Sequence, residues 1–264
     1  MKLTAKFIIF LLSAAFILAP FSAQAGEPKI YKDGDVELEG YWSPSTCENS
    51  ATAPLVLVVH QWKGITDHEK TRAGILAAEC YNAFVVDMYG KGIRPTSNDD
   101  AGKEATKYKS DSALARKRIA AGLDFAKTLP NVDTSKIAAM GFCFGGTMSL
   151  ELARSGADVD GVVSFHGGLS TPAPVKEPGV IKASIQVHHG ADDPMVPPEE
   201  VRGFIDEMNA ADADWMATKY AHAVHAFTQK EAGNDPSKGA AYNQKADVRS
   251  WAATLDFLKE IFAE

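Results

Sequence analysis

The amino-acid sequence predicts a single α/β domain built on a mostly parallel β-sheet with helices on both faces. Several short runs of β-branched and aliphatic residues lack polar alternation, and residues 55–59 (Leu-Val-Leu-Val-Val) are an example. Such runs are typical of strands buried on both faces of a parallel sheet. Segments with helical spacing lie between them, which is the alternation that parallel α/β sheets require. The chain shows no repeat at a fixed period and no linker, so one domain over residues 26–264 is expected.

Length and composition exclude several classes of protein. The chain has 264 residues, of which 45% are hydrophobic, so one large core can form and disorder is excluded. Three cysteines are too few for a disulfide-dense mini-protein. The 27 basic and 34 acidic residues give a net charge of −7, which argues against nucleic acid as the main partner.

The first 25 residues have the features of a secretory signal peptide. Lys2 and Lys6 make the start positive, residues 7–19 are almost wholly apolar, and Ala-Gln-Ala at positions 23–25 is a typical cleavage site. The apolar run is shorter than the ~20 residues that a membrane span needs. Removal of the segment changes the net charge from −7 to −9. We expect an exported protein, periplasmic or secreted, without stable membrane insertion; a retained N-terminal anchor is the alternative.

The elements follow from periodicity and from helix and strand breakers, in chain order after a polar lead-in. The predicted strands are 36–42, 55–59, 83–87, 137–140, 162–165, 184–188 and 215–220. The predicted helices are 69–80, 111–128, 147–154, 199–210 and 244–262. The connection 89–110 is polar and contains Gly, Pro, Lys and Asn, so it is expected to be irregular, either a cover over an active site or a surface connection.

A Gly-rich turn follows the strand at 137–140. Its sequence, Gly141-Phe142-Cys143-Phe144-Gly145, is a Gly-x-nucleophile-x-Gly elbow with Cys in the usual position of Ser. The helix that follows directs its positive end at Cys143, and this favours a thiolate. Neither the Rossmann nor the Walker glycine pattern is present, which argues against a phosphate-binding turn. The elbow therefore predicts a nucleophilic Cys143 rather than an inert buried cysteine.

A thiol nucleophile needs a base, and the base needs an orienting acid. Two carboxylates, Asp192 and Asp193, follow the strand at 184–188, and His225 follows the strand at 215–220. The order nucleophile, acid, histidine is that of the α/β-hydrolase fold. Asp193 is the predicted acid, and Asp192 is the alternative if the turn is displaced by one residue.

These motifs resemble those of the dienelactone hydrolase family over nearly the whole mature chain. The matching segments are His60-Gln61-Trp62-Lys63-Gly64, Asp87-Met88-Tyr89-Gly90, Gly141 to Gly146, Gly190 to Pro197 and His225-Ala226-Phe227. In that family the acid lies three residues after the glycine, which matches Asp193. The family histidine precedes a small residue and Phe, which matches His225 rather than His222. The resemblance implies a triad of Cys143, Asp193 and His225.

The chain departs from the family pattern at the substrate-binding positions. Gln61 stands where muconate-pathway members have a glutamate that helps to activate the thiol, and an amide cannot take a proton. Lys91 and Gln229 match the positions of two arginines that hold the substrate carboxylate, and Arg94 is a further candidate cation. Lysine lacks the bidentate fork of arginine. We predict that Gln61, Lys91 and Arg94 contact substrate, and the departures argue against dienelactone itself.

The predicted reaction is hydrolysis of a small-molecule ester, lactone or thioester through an acyl-enzyme. The backbone N–H groups of Phe144 and Trp62 are the expected oxyanion donors. No cofactor is predicted, and because HExxH and CxxC spacings do not occur, no metal site is predicted either. The alternatives are a binding protein of the same fold that has lost activity and a thiol-redox protein, although the latter lacks a CxxC motif.

The remaining cysteines and histidines are interpreted as structural. An exported chain permits a disulfide between Cys47 and Cys80, which leaves Cys143 as a free thiol. Four histidines at predicted strand ends are expected to be satisfied structural side chains rather than ligands; they are His60, His166, His188 and His189.

Overall fold

The computed structural model describes residues 26–47 and 51–263, so the predicted signal peptide at 1–25 lies outside the described residues. The strands are β1 (Glu27–Asp33), β2 (Val36–Ser43), β3 (Ala53–Val59), β4 (Asn82–Val86), β5 (Val132–Phe142), β6 (Gly161–Phe165), β7 (Ser184–Gly190) and β8 (Trp215–Tyr220). The helices are α1 (Asp67–Ala78), α2 (Asn98–Lys109), α3 (Ser112–Ala126), α4 (Phe144–Arg154), α5 (Pro198–Ala210) and α6 (Gln244–Ala263).

The eight strands of residues 26–47 and 51–263 form one sheet in the order β1-β2-β4-β3-β5-β6-β7-β8. The pairs β1–β2 and β2–β4 are antiparallel, and the other five pairs are parallel. The mostly parallel sheet predicted from the sequence is therefore confirmed.

The two faces of the sheet bury separate apolar layers. Along β3, Leu55, Leu57 and Val59 contact one layer while Val56 and Val58 contact the other, as expected from the alternation of side chains along a strand. Helices α2, α3, α4 and α5 contribute to the first layer, and α1 and α6 contribute to the second. Burial on both faces explains why β3 has no polar alternation.

The strand order creates a crevice beside β3. This strand pairs with β4 on one side and with β5 on the other, so the loops that leave β3 and β5 at their carboxyl ends diverge. Ligands of open α/β sheets bind at such switch points. The loop at 60–64 and the turn at Cys143 both lie there.

The segment predicted as an irregular connection at 89–110 contains a helix, α2, so that prediction is wrong for residues 98–109. The Ser97 side chain accepts a hydrogen bond from the Asp100 N–H and caps the helix. Ala101, Ala105 and Tyr108 are buried at a spacing of four and three residues. Two alanines and one tyrosine give too weak an apolar periodicity to predict a helix in this polar segment.

The lead-in before residue 36 also contains an element that the sequence did not predict. Residues 27–33 form β1, which pairs with β2 and is an edge strand of the sheet that the described residues form. Its polar composition is typical of edge strands, which contact solvent and avoid pairing with other chains.

A disulfide joins Cys47, after β2, to Cys80, after α1, with Cα atoms 5.2 Å apart. The pairing that the sequence permits is thus present, and Cys143 is the free cysteine of the described residues. No helix among residues 26–47 and 51–263 has the length and apolar character to cross a bilayer.

We expect the double substitution Cys47→Ser and Cys80→Ser to lower the free energy of unfolding by about 3–4 kcal/mol, because the bond closes a loop whose ends are 33 residues apart. Urea denaturation of the wild type and the double variant measures this difference. Cys143→Ser is the matched control, because it removes a sulfur without opening the loop. Equal midpoints for the wild type and the double variant would contradict the expectation.

Candidate active site

Cys143 occupies the turn between β5 and α4, and its backbone adopts a conformation that is rare for a residue with a side chain (φ +54°, ψ −116°). A Cβ atom at Gly141 would collide with the backbone of Gly145, and one at Gly145 would collide with Val59. Both glycines of the elbow are therefore required by close backbone approach. The strained turn holds the Cys143 side chain at the carboxyl end of the sheet.

His225 connects the thiol to a carboxylate. Its Nε2 lies 3.0 Å from Cys143 Sγ, and its Nδ1 lies 2.9 Å from Asp193 Oδ2. The other carboxylate oxygen, Asp193 Oδ1, accepts the Met195 N–H at 2.8 Å, which orients the group. The structure thus brings together the three residues predicted as a triad.

The alternative acid lies outside this arrangement. Asp192 is exposed, and its Oδ2 is 4.0 Å from Nδ1 of the exposed His222. Neither side chain lines the cavity next to Cys143. The geometry therefore favours Asp193 over Asp192 and His225 over His222.

The electrostatic surroundings favour an ion pair between Cys143 and His225. Burial opposes ionisation of the thiol, but the charge on His225, its hydrogen bond to Sγ and the Phe144 N–H together lower the pKa of Cys143. Burial likewise opposes a charged imidazole, but the sulfur of Cys143 and the carboxylate of Asp193 raise the pKa of His225. Both shifts favour a thiolate at Cys143 beside an imidazolium at His225.

The loop after β3 holds the peptide between Gln61 and Trp62 in a fixed orientation. The Gln61 carbonyl lies 2.5 Å from His60 Nδ1 and accepts the Gly64 N–H at 3.2 Å. His60 Nε2 accepts a backbone N–H, so Nδ1 carries the proton and donates it to that carbonyl. In a trans peptide the N–H and the C=O point in opposite directions, so the Trp62 N–H points away from His60 Nδ1. His60 is thus a satisfied structural histidine, as predicted.

Gln61 lines the cavity, and a buried carboxylate that sequence reasoning missed holds it there. The backbone N–H and the side-chain Nε2 of Gln61 both donate to Glu69 Oε1 at 3.3 Å. Thr66 donates to Glu69 Oε2 through its N–H and its hydroxyl. Burial raises the pKa of Glu69, although these hydrogen bonds oppose the effect. The Thr-x-x-Glu spacing of a capping box was the available signal in the sequence.

Two of the three residues predicted to bind substrate lie elsewhere. Lys91 Nζ pairs with Glu37 Oε1 at 2.6 Å on the surface. Arg94 Nη1 lies 3.4 Å from Asp87 Oδ1, and its Nη2 donates to the Glu39 carbonyl at 3.2 Å. The Glu37 carboxylate holds Lys91, and the Asp87 carboxylate and the Glu39 carbonyl hold Arg94, so neither side chain lines the cavity. The structure therefore does not support the prediction for Lys91 and Arg94.

The cavity itself measures about 620 Å³ and is lined by both polar and apolar side chains. Cys143 and His225 form part of its wall, together with Trp62 and Phe144. Its positive charge comes from residues that the sequence did not single out. They are Lys109, at the end of α2, and Lys63, whose Nζ lies 5.9 Å from the centre of the Trp62 ring. Among the described residues, no cluster of three or more His, Cys, Asp or Glu side chains is arranged to hold a metal ion.

A mostly parallel sheet whose central strand ends in a nucleophile elbow defines an α/β hydrolase. Within that class, the chain belongs to the dienelactone hydrolase family, whose model matches residues 43–262. It is therefore a hydrolase of the ester or lactone type.

The chain is also similar to individual proteins. The chain is similar to a dienelactone hydrolase-like promiscuous phosphotriesterase from metagenomic libraries, with 36% identity and a TM-score of 0.82 over 89% of this chain and 98% of that one. It is also similar to the solved structure m3DLH, with 33% identity and a TM-score of 0.85 at the same coverage. An uncharacterized protein of Caenorhabditis elegans is 41% identical over 147 residues, which cover 55% of this chain and 93% of that protein.

Proposed function

We propose that the chain hydrolyses a small-molecule ester, lactone or thioester through a Cys143–His225–Asp193 triad. The observation that carries the proposal is the pair of contacts at 3.0 Å and 2.9 Å that His225 makes with Cys143 and Asp193. Acyl transfer requires a nucleophile in contact with a base, and the base in contact with an acid that orients it.

In the first half of the reaction, the Cys143 thiolate attacks the substrate carbonyl carbon and forms a C–S bond. The carbonyl electron pair moves to oxygen, where the N–H groups of Phe144 and Trp62 stabilise the oxyanion. As the intermediate collapses, the bond to the leaving group breaks and the leaving oxygen or sulfur takes the proton of His225. A thioester of Cys143 and a neutral His225 remain.

In the second half, water replaces the leaving group. Neutral His225 accepts a proton from water as the oxygen attacks the thioester carbonyl, and Asp193 stabilises the resulting imidazolium. Collapse of the second intermediate breaks the C–S bond and releases a carboxylic acid. Cys143 returns as a thiolate beside protonated His225, so the resting ion pair is restored.

The test combines alkylation of the thiol with hydrolysis of an ester and thioester panel. We expect the rate of iodoacetamide alkylation of the wild type to reach half of its plateau at a pH below the ordinary thiol pKa of about 8.5, because the pKa of Cys143 is lowered. In His225→Gln burial acts without the compensating charge, so the thiol pKa rises above its ordinary value of about 8.5 and the rate at pH 7 falls to about a few per cent. His222→Gln is the matched control, because that side chain is exposed and lies outside the cavity.

Three outcomes separate the candidate functions. A thiol of lowered pKa together with turnover of a panel member supports the hydrolase. The same reactive thiol without turnover favours the redox protein, and an unreactive thiol without turnover favours the binding protein that has lost activity. Either of the last two results would overturn the proposal.

We also propose that the protein is exported after removal of residues 1–25. The disulfide between Cys47 and Cys80 supports this, because disulfides persist in oxidising compartments. N-terminal sequencing of the protein expressed from the full chain is expected to begin at Gly26. A mature protein that retains Met1 and remains in the cytoplasm would contradict the proposal.

A further inference from the structure

A buried histidine contacts the backbone of Cys143 and has no role in the proposed hydrolysis. His166 follows β6, is 1% exposed and adopts a positive φ of +39°. A residue other than glycine keeps such a backbone conformation only where its surroundings impose it. Its N–H donates to the His188 carbonyl at 2.8 Å, and this contact anchors the backbone.

The ring of His166 connects the nucleophile turn to the histidine loop. Its Nδ1 lies 3.2 Å from the Cys143 backbone N and accepts that N–H, which also donates to the Phe165 carbonyl at 2.9 Å. Its Nε2 lies 2.8 Å from Thr228 Oγ1. Thr228 is three residues beyond His225 on the same loop and is itself buried. One imidazole therefore joins the backbone of the nucleophile to the loop that carries the base.

These contacts select one form of the ring. Nδ1 accepts an N–H, so it carries no proton, and Nε2 must then carry the proton and donate it to Thr228. Burial lowers the pKa of His166 well below its usual value, and the charge on His225 adds to the effect. The two imidazole rings pack edge to face with centroids 5.3 Å apart. His166 remains neutral while its neighbour becomes charged.

We propose that His166, through its hydrogen bond to Thr228, is a positioning residue that holds His225 Nε2 within hydrogen-bond reach of Cys143 Sγ. The inference rests on the proposed function of Cys143 and His225. Loss of the link would leave the elbow and the loop folded but would free the loop to shift relative to the thiol. A displacement of about 1 Å is enough to reduce turnover by about 100-fold.

The hydrogen bond between His166 and Thr228 can be removed by a small substitution at either residue. Thr228→Val keeps the shape of the side chain and removes the acceptor. His166→Asn tolerates a positive φ, and its Oδ1 takes the place of Nδ1 against the Cys143 N–H, but it is too short to reach Thr228. Thr228→Ser retains the hydroxyl and is the rescue variant. Thr218→Val is the matched control, because it makes the same change at an exposed position of β8.

The readouts are kcat and KM per active site and the pKa of the Cys143 thiol from alkylation. The charged and titratable groups near Cys143 and His166 are His225, Lys109, Tyr89, His68 and Arg72, and the variants alter none of them. We expect kcat to fall about 10- to 100-fold in Thr228→Val and in His166→Asn, with KM nearly unchanged. The thiol pKa is expected to rise in both, because the contact with His225 that lowers it weakens.

The double variant distinguishes positioning from a general structural role. Both substitutions break the same bond, so we expect the double variant to lose no more activity than either single variant. The proposal would be overturned if the single variants yielded less folded protein while the thiol pKa of the folded part stayed unchanged. It would also be overturned if the fold-losses in kcat of the two single variants multiplied in the double variant. If His166→Asn does not fold, Thr228→Val and its rescue by Thr228→Ser decide the matter.

The alkylation assay needs no substrate, so it separates this inference from the proposed function. A wild type that turns over no ester, but whose low thiol pKa rises in Thr228→Val, would contradict the hydrolase and leave the positioning role intact. A hydrolytically active wild type whose kcat and thiol pKa are unchanged in Thr228→Val would contradict the positioning role alone.

Discussion

Replacement of Cys143 by alanine is expected to reduce kcat for hydrolysis of a short aryl ester by at least about 10⁴-fold, because the acyl-enzyme can no longer form. The remaining rate would come from the N–H groups of Phe144 and Trp62 and from substrate binding alone. Purified wild type and variant, assayed at equal concentration with active-site titration of the wild type, give the ratio. Mass spectrometry during turnover should show an acyl adduct on the wild type and none on the variant.

The fold of the variant is not expected to change. Alanine fits the backbone of position 143 no worse than cysteine does, and the two glycines that form the turn remain. Thermal unfolding of the variant should therefore match that of the wild type. Unchanged hydrolysis in Cys143→Ala would show that another group attacks the substrate.

Substitution of Asp193 by asparagine is expected to reduce kcat by about 10³- to 10⁴-fold. The new side chain has the same shape, so its Oδ1 can still accept the Met195 N–H. Its amide group, however, donates a hydrogen bond to His225 Nδ1, whereas the Asp193 carboxylate accepts a hydrogen bond from the Nδ1–H. The imidazole then carries its proton on Nε2, where it faces Cys143 Sγ and cannot accept a proton from water. The imidazolium also loses the carboxylate that helps to stabilise it.

Asp192→Asn is the matched control, because it makes the same chemical change one residue away. The Asp192 side chain is exposed and lies 4.0 Å from the exposed His222, outside the cavity, so we expect kcat to change by less than about twofold. The comparison decides between the two carboxylates that the sequence offers. A large loss in Asp192→Asn with a small loss in Asp193→Asn would reverse the assignment.

Most of the strands could be predicted from the sequence, because a strand that is buried on both faces is a continuous run of apolar residues. Strand β3 and residues 83–86 of β4 are continuous apolar runs. Strand β8 was also predicted at its observed bounds, although it is an edge strand with mostly exposed side chains. Helix α2 and strand β1 lie at the periphery, where contact with solvent permits polar residues. Their stability depends on contacts with distant segments, which a local pattern does not contain.

The residues of the site likewise include some that could be predicted from the sequence and some that could not. Cys143, Asp193 and His225 each lie at the carboxyl end of a strand in a recognisable motif, so topology alone predicts that they meet. Lys91 was assigned by its position after a motif and Arg94 as a further candidate cation, but each long side chain contacts a carboxylate or carbonyl away from the cavity. The hydrogen bond between His166 and Thr228 spans 62 residues and has no counterpart in sequence periodicity.

The order of the cysteines along the chain also bears on how the protein folds in an oxidising environment. Three thiols allow three pairings, and two of these would consume the nucleophile. A chain that emerges N-terminus first presents Cys47 and Cys80 before Cys143, so the correct disulfide can close before the competing thiol appears. In an exported chain, as proposed above, this order would favour the pairing of Cys47 with Cys80 and leave Cys143 as the free thiol.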